Sequence, residues 1–108
     1  MRVLSMMEAA GVATRITTTN TAAELAAGLV LKGARKLTEI LVQCDPRQDN
    51  SIACAWGGTT PTQGGSAIGV VLDPGDSIRI VGEFNCSTFQ HISSEAGLAG
   101  VIQLIPGY

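Results

Sequence analysis

Charge is scarce in this chain: Asp, Glu, Lys and Arg supply only 15% of the residues and leave a formal net charge of −2. Nucleic-acid recognition needs clustered cations to neutralise phosphates. The only local cluster here is Lys32, Arg35 and Lys36, beside a turn, and it reads as a solvated strand entrance. No nucleic-acid partner is expected. Histidine is scarcer still. His91 stands alone between Phe89-Gln90 and Ile92-Ser93, either a satisfied sheet histidine or a surface one. A general base needs a positioned acid and a nucleophile, and no motif supplies either, so the expectation is no enzyme, no catalytic residue and no cofactor.

The three cysteines, Cys44, Cys54 and Cys86, form an odd set without a C-x-x-C pair. A secreted disulfide framework wants an even set, so they read as reduced, small core hydrophobes, which implies assembly in a reducing cytoplasm. With one histidine and no close cysteine pair, no metal site is expected. No apolar run approaches the ~20 residues of a membrane span, so no membrane partner is expected. At the N-terminus Glu8 cuts the apolar run to residues 3–7, too short for a signal peptide.

Aromatics make up 4% of the chain, while hydrophobic residues as a whole reach 45%. The core must therefore be built from Val, Ile, Leu and Ala. Thirteen glycines and frequent Thr and Ser suit many short strands joined by many turns. Low surface charge gives weak self-repulsion, which suits a protein packed against partners.

Residues 1–13 combine helix formers with a Gly11 stop and read as an N-terminal arm outside the fold, helical or extended. From Thr14 the run is β-branched, as in an edge strand. Residues 22–31 read as a loose helical turn and a short strand. The strongest alternation spans residues 36–44, with Thr38, Ile40, Val42 and Cys44 on one face and Leu37, Glu39, Leu41 and Gln43 on the other. A polar turn over 45–50 ends it. Residues 51–56 follow with Ile52, Cys54 and Trp56 inward and Ser51, Ala53 and Ala55 outward. Trp56 is either the main core aromatic or an interface anchor.

GGTTPTQGG, residues 57–65, lacks the Lys-Ser/Thr of a phosphate loop and no helix follows. It reads as a mobile or partner-ordered hairpin loop, with Gly58, Thr59 and Thr60 placed to grip a neighbour. Strand resumes over 66–72. Asp73-Pro74-Gly75-Asp76 then reverses the chain, because Pro fixes φ at the first corner and Gly supplies positive φ at the second. The two Asp side chains are expected to cap backbone amides there. Strand returns over 77–81, Gly82-Glu83 turns the chain, 85–93 is a further strand or loop-strand, and 100–105 closes the fold. Tyr108, after Pro106-Gly107, reads as exposed or docked on a partner. About seven strands with turn signals every ~8–12 residues predict a single all-β domain over 14–108, a small antiparallel β-sandwich or jelly-roll-like barrel.

In order, ITTT, ARKLTEILVQC, IACAWGG, GVVLDPGDSIRI, NCSTFQHISSEAG and VIQL resemble a pattern of small structural proteins of tailed bacteriophages. The resemblance spans about residues 15–105. It implies a β-sandwich virion component: a capsid decoration (cement) protein, commonly a homotrimer, that binds the major capsid protein on the outside of the shell and stabilises it. A tail or head-tail connector module is the alternative. Against this pattern residues 1–13 are extra, and Val3, Leu4, Met6 and Met7 are the expected contact with the capsid or an adjacent subunit. A carbohydrate-binding, adhesin-like sandwich is the rival of another class. It needs exposed aromatics, and only Trp56, Phe84, Phe89 and Tyr108 are available.

Overall fold

The computed structural model describes residues 14–19, 22–25, 30–32, 35–63, 68–94 and 100–108. Its strands are β1 (Thr14–Thr18), β2 (Ala23–Glu24), β3 (Leu31–Lys32), β4 (Arg35–Lys36), β5 (Glu39–Cys44), β6 (Ile52–Ala55), β7 (Val70–Leu72), β8 (Ser77–Val81), β9 (Gln90–Ser93) and β10 (Gly100–Gly107). A short helix, α1, spans Glu83–Ser87. Two four-stranded antiparallel sheets are ordered β1-β10-β5-β8 and β2-β9-β6-β7, and β3 and β4 form a separate hairpin. The last strands insert between early ones, β10 between β1 and β5 and β9 between β2 and β6. That return makes the sandwich a jelly roll.

The core lies between the sheets. Ile40, Val42, Cys44, Ile80, Ile102 and Leu104 come from the first sheet and Ile52, Cys54 and Leu72 from the second, with Phe89 just before β9. The alternation over β5 is as the sequence predicts, Ile40, Val42 and Cys44 inward. It breaks one step earlier. Leu37 is 1% exposed and Thr38 is exposed, the reverse of the predicted faces. Here the chain leaves β4, and the Leu37 N–H donates to the Val30 carbonyl (2.8 Å) before β5 begins.

Three further expectations are corrected in whole or in part. Residues 83–87 form α1, so 85–87 are helical rather than strand or loop-strand, and the turn expected at Gly82-Glu83 leads into the helix. Gly82, at φ 106°, turns the chain so that Cys86 N–H reaches the Gly82 carbonyl (3.0 Å) and Thr88 N–H the Phe84 carbonyl (3.0 Å). Ala23 and Glu24 are extended rather than helical, paired with His91 and Gln90. Ala53 and Ala55 keep the predicted outward parity, alternating with the core residues Ile52 and Cys54, but are buried rather than exposed. Pro61 is buried too, and a Cβ at Gly69 would sit 2.7 Å from the Cys54 carbonyl oxygen and 3.5 Å from Pro61 Cβ, so Pro61 and Gly69 pack closely beside β6.

The Asp73–Asp76 turn is a corner between sheets, since β7 and β8 belong to different ones. Pro74 precedes Gly75 at φ 91°, and the Asp76 N–H closes on the Asp73 carbonyl (2.8 Å), as a type II turn requires. Asp76 caps a backbone amide as expected, its Oδ2 accepting from the Asp73 N–H (3.1 Å), whereas Asp73 Oδ1 accepts from the Ser51 side-chain hydroxyl (2.6 Å) instead.

Candidate interaction surfaces

The sequence-predicted contact residues do not converge on one described site. Val3, Leu4, Met6 and Met7 lie outside the described residues. Gly58, Thr59 and Thr60 are exposed at the tip of the loop after β6. Gly57 and Gln63 of this loop bond the chain itself, while residues 64 and 65 lie outside the described residues. Thr88 Oγ1 accepts from the Gly57 N–H (2.8 Å) and Gln63 Nε2 donates to the Ser93 carbonyl (2.7 Å). Tyr108 is half-buried and packs against the chain's own core, and burial pushes its hydroxyl pKa up. Trp56 is likewise half-buried against the core.

Sequence reasoning missed the exposed apolar side chains. Val70 (40%) and Val71 (48%) lie on β7 and Ile68 (52%) just before it, while Val81 (56%) and Phe84 (64%) mark the end of β8 and the start of α1. β7 and β8 are the edge strands of the two sheets and are joined by the four-residue corner, so these residues share one flank of the sandwich. Next to Phe84 an open, mainly apolar groove of about 430 Å³ is lined by Val30, Lys36, Leu37, Glu83, Phe84 and Ser87. Lys36 and Glu83 pair across its rim at 3.9 Å, both well exposed. Such a solvated pair adds little to stability and leaves the groove open.

The ionisable groups are tied to the frame. Asp45 accepts from Arg47 Nε and Nη2 (each 3.1 Å) and from the Arg47 N–H (2.9 Å), and Arg15 Nη1 approaches at 3.0 Å. These bonds, Arg47's side chain first, hold its carboxyl down to about 2. Arg79 pairs with Glu39 across β8 and β5. Cys44, Cys54 and Cys86 are free and buried, and burial pushes the Cys54 and Cys86 thiols up to about 11. His91 is neither of the two predicted kinds. It is 2% exposed, faces the core beside Cys54, and its Nδ1 has no hydrogen-bond partner among the described residues.

Among the described residues no group of three or more His, Cys, Asp or Glu side chains could hold a metal ion, and no helix is long and apolar enough to cross a membrane. What the surface offers chemically is apolar contact and open strand backbone along one flank. Compared with known proteins, the chain matches no family model, no curated protein and no solved structure.

Proposed function

We propose that this chain is a non-enzymatic capsid decoration (cement) protein of a tailed bacteriophage. It binds the major capsid protein on the outer surface of the shell and stabilises it, as a homotrimer assembled in the host cytoplasm. The observation that carries the reading is the apolar flank. A chain this poor in charge leaves Ile68, Val70, Val71, Val81 and Phe84 in water along the edges of both sheets. Exposed apolar patches of this kind mark contact with another macromolecule. The jelly roll, an architecture used in viral capsid and lectin domains, is compatible with the role, and the motif resemblance points the same way. Each copy offers a modest patch, and many copies on a lattice multiply weak contacts.

Phe84, exposed at the mouth of the apolar groove, favours the sugar-binding rival as a second reading. Add-back separates them. Shells assembled without this chain are mixed with the purified protein and scored for bound protein and for the temperature at which they release DNA. Saturable binding that raises that temperature, reduced by Phe84→Asp, supports the decoration role. No binding to shells overturns it, and retention on a glycan array then favours the second reading.

A further inference from the structure

The four sheet edges are not alike. Free strand edges invite pairing, and proteins blunt them with charged side chains, proline, bulges or a covering element. β1 carries Arg15, β2 carries Glu24, and β8 carries Arg79 and has its Val81 carbonyl taken by Asn85 Nδ2 (2.9 Å). β7, Val70-Val71-Leu72, has no charge and no proline.

The register shows which backbone groups this edge presents. The Ser94 N–H donates to the Ser51 carbonyl (3.0 Å), one step beyond the Ile52–Ser93 pair. In an antiparallel ladder bonded pairs alternate, so Ala53 turns its N–H and C=O toward Ile92 in β9, while Ile52 and Cys54 bond Leu72 and Val70 in β7. Val71, opposite Ala53, therefore directs its own N–H and C=O outward, at the middle of an edge that pairs with no other described strand.

We propose that β7 pairs antiparallel with β7 of a second copy, about a two-fold axis at Val71. The edge is complementary to itself in that register. Val71 meets the second Val71 on the outer face, Val70 meets Leu72, and exposed Ile68 meets Pro74. Gly69, without a side chain, lies opposite Asp73. The only charges in the seam, the two Asp73 carboxylates, are then separated along the strands by ~13 Å, beyond the screening length at physiological salt. A parallel seam would set them face to face. Three residues a side cover roughly a few hundred Å², far less than the ~800 Å² per partner of a stable complex. The pairing is therefore weak for free protein and strong only where copies are held close. It goes beyond the shell reading: a trimer closes through head-to-tail contacts, whereas this seam is two-fold and would join copies of neighbouring trimers.

The test uses purified full-length chain without shells, so its failure leaves the decoration role standing. Bonded antiparallel partners hold their Cα atoms ~5.5 Å apart, within disulfide range, and the native thiols are buried. Val71→Cys under mild oxidation is expected to form linked dimers at least about tenfold faster than Val81→Cys, an equally exposed control, because pairing raises the local thiol concentration. Sedimentation of the native chain near about millimolar concentration should show self-association that Val71→Lys removes. Equal crosslinking rates for the two cysteine variants, or association unchanged by Val71→Lys, overturns the seam.

Discussion

The rings of Phe89 and His91 stand 6.2 Å apart between the two sheets, and the imidazole is as fully enclosed as the phenyl. Burial lowers the His91 pKa below its ordinary 6.5, so the folded protein holds it neutral. An unfolded chain binds that proton more readily. Stability is therefore complete above pH 6.5 and falls as pH drops from there toward the folded-state pKa, with a slope of at most about 1.4 kcal/mol per unit. Urea midpoints measured from pH 8 to 5 should decline below 6.5 in the native chain and stay flat in His91→Gln. A native curve flat over this range contradicts the neutral core histidine.

Asp45 acts in a separate window. Its carboxyl is held at about 2 against an ordinary 3.8, so its contribution is present above 3.8 and is lost as pH falls toward 2. Asp45→Asn should lower the melting temperature at pH 7, because Arg47 and Arg15 lose the negative charge they share. The gap from the native chain should close by pH 2. A gap that persists unchanged at pH 2 would trace the loss to packing instead.

Gly69 and Gly58 test backbone and space together. Both have positive φ, at 121° and 90°, but an added Cβ meets nothing at Gly58 and the rigid Cys54 carbonyl at Gly69. Gly58→Ala should cost about 1–2 kcal/mol and Gly69→Ala about 1–3 kcal/mol more, read from chemical denaturation. Equal costs would mean that the segment before β7 moves away freely.

The three thiols should be inert in the fold. With all three buried, and Cys54 and Cys86 raised to about 11, little thiolate is present at pH 8. An aromatic disulfide reagent is expected to titrate three groups only after denaturant is added. Prompt reaction in buffer would place at least one thiol at the surface.

Phe84 separates binding from folding. At 64% exposure its replacement by Asp should change stability by no more than about 0.5 kcal/mol, while attachment to shells falls at least about tenfold. A large loss of stability would show that the ring supports the fold.

Features with a local cause were legible in the sequence. Pro74-Gly75 announces its turn because each residue fixes its own φ, and β5 announces its faces because Ile40, Val42 and Cys44 alternate with Leu41 and Gln43. The short helix at Glu83–Ser87 was not. Five residues carry no helical period, and its start is set by Gly82 without a side-chain cap. The burial of Ala53 and Ala55 depends on what the rest of the chain packs onto β6, and the exposure of Val70 and Val71 on β7's place at a sheet edge. Both are set by how distant strands meet. For that reason the apolar flank escaped a reading that placed the contacts on Val3, Leu4, Met6, Met7, Gly58, Thr59, Thr60 and Tyr108.

The most direct measurement is the copy number of this chain in purified virions, by densitometry against the major capsid protein. A decoration role predicts stoichiometry comparable with the shell subunit, spread over its threefold sites. A copy number fit only for a single ring at one vertex would contradict it and move the chain to the tail or connector, and absence from virions would remove it from the particle altogether.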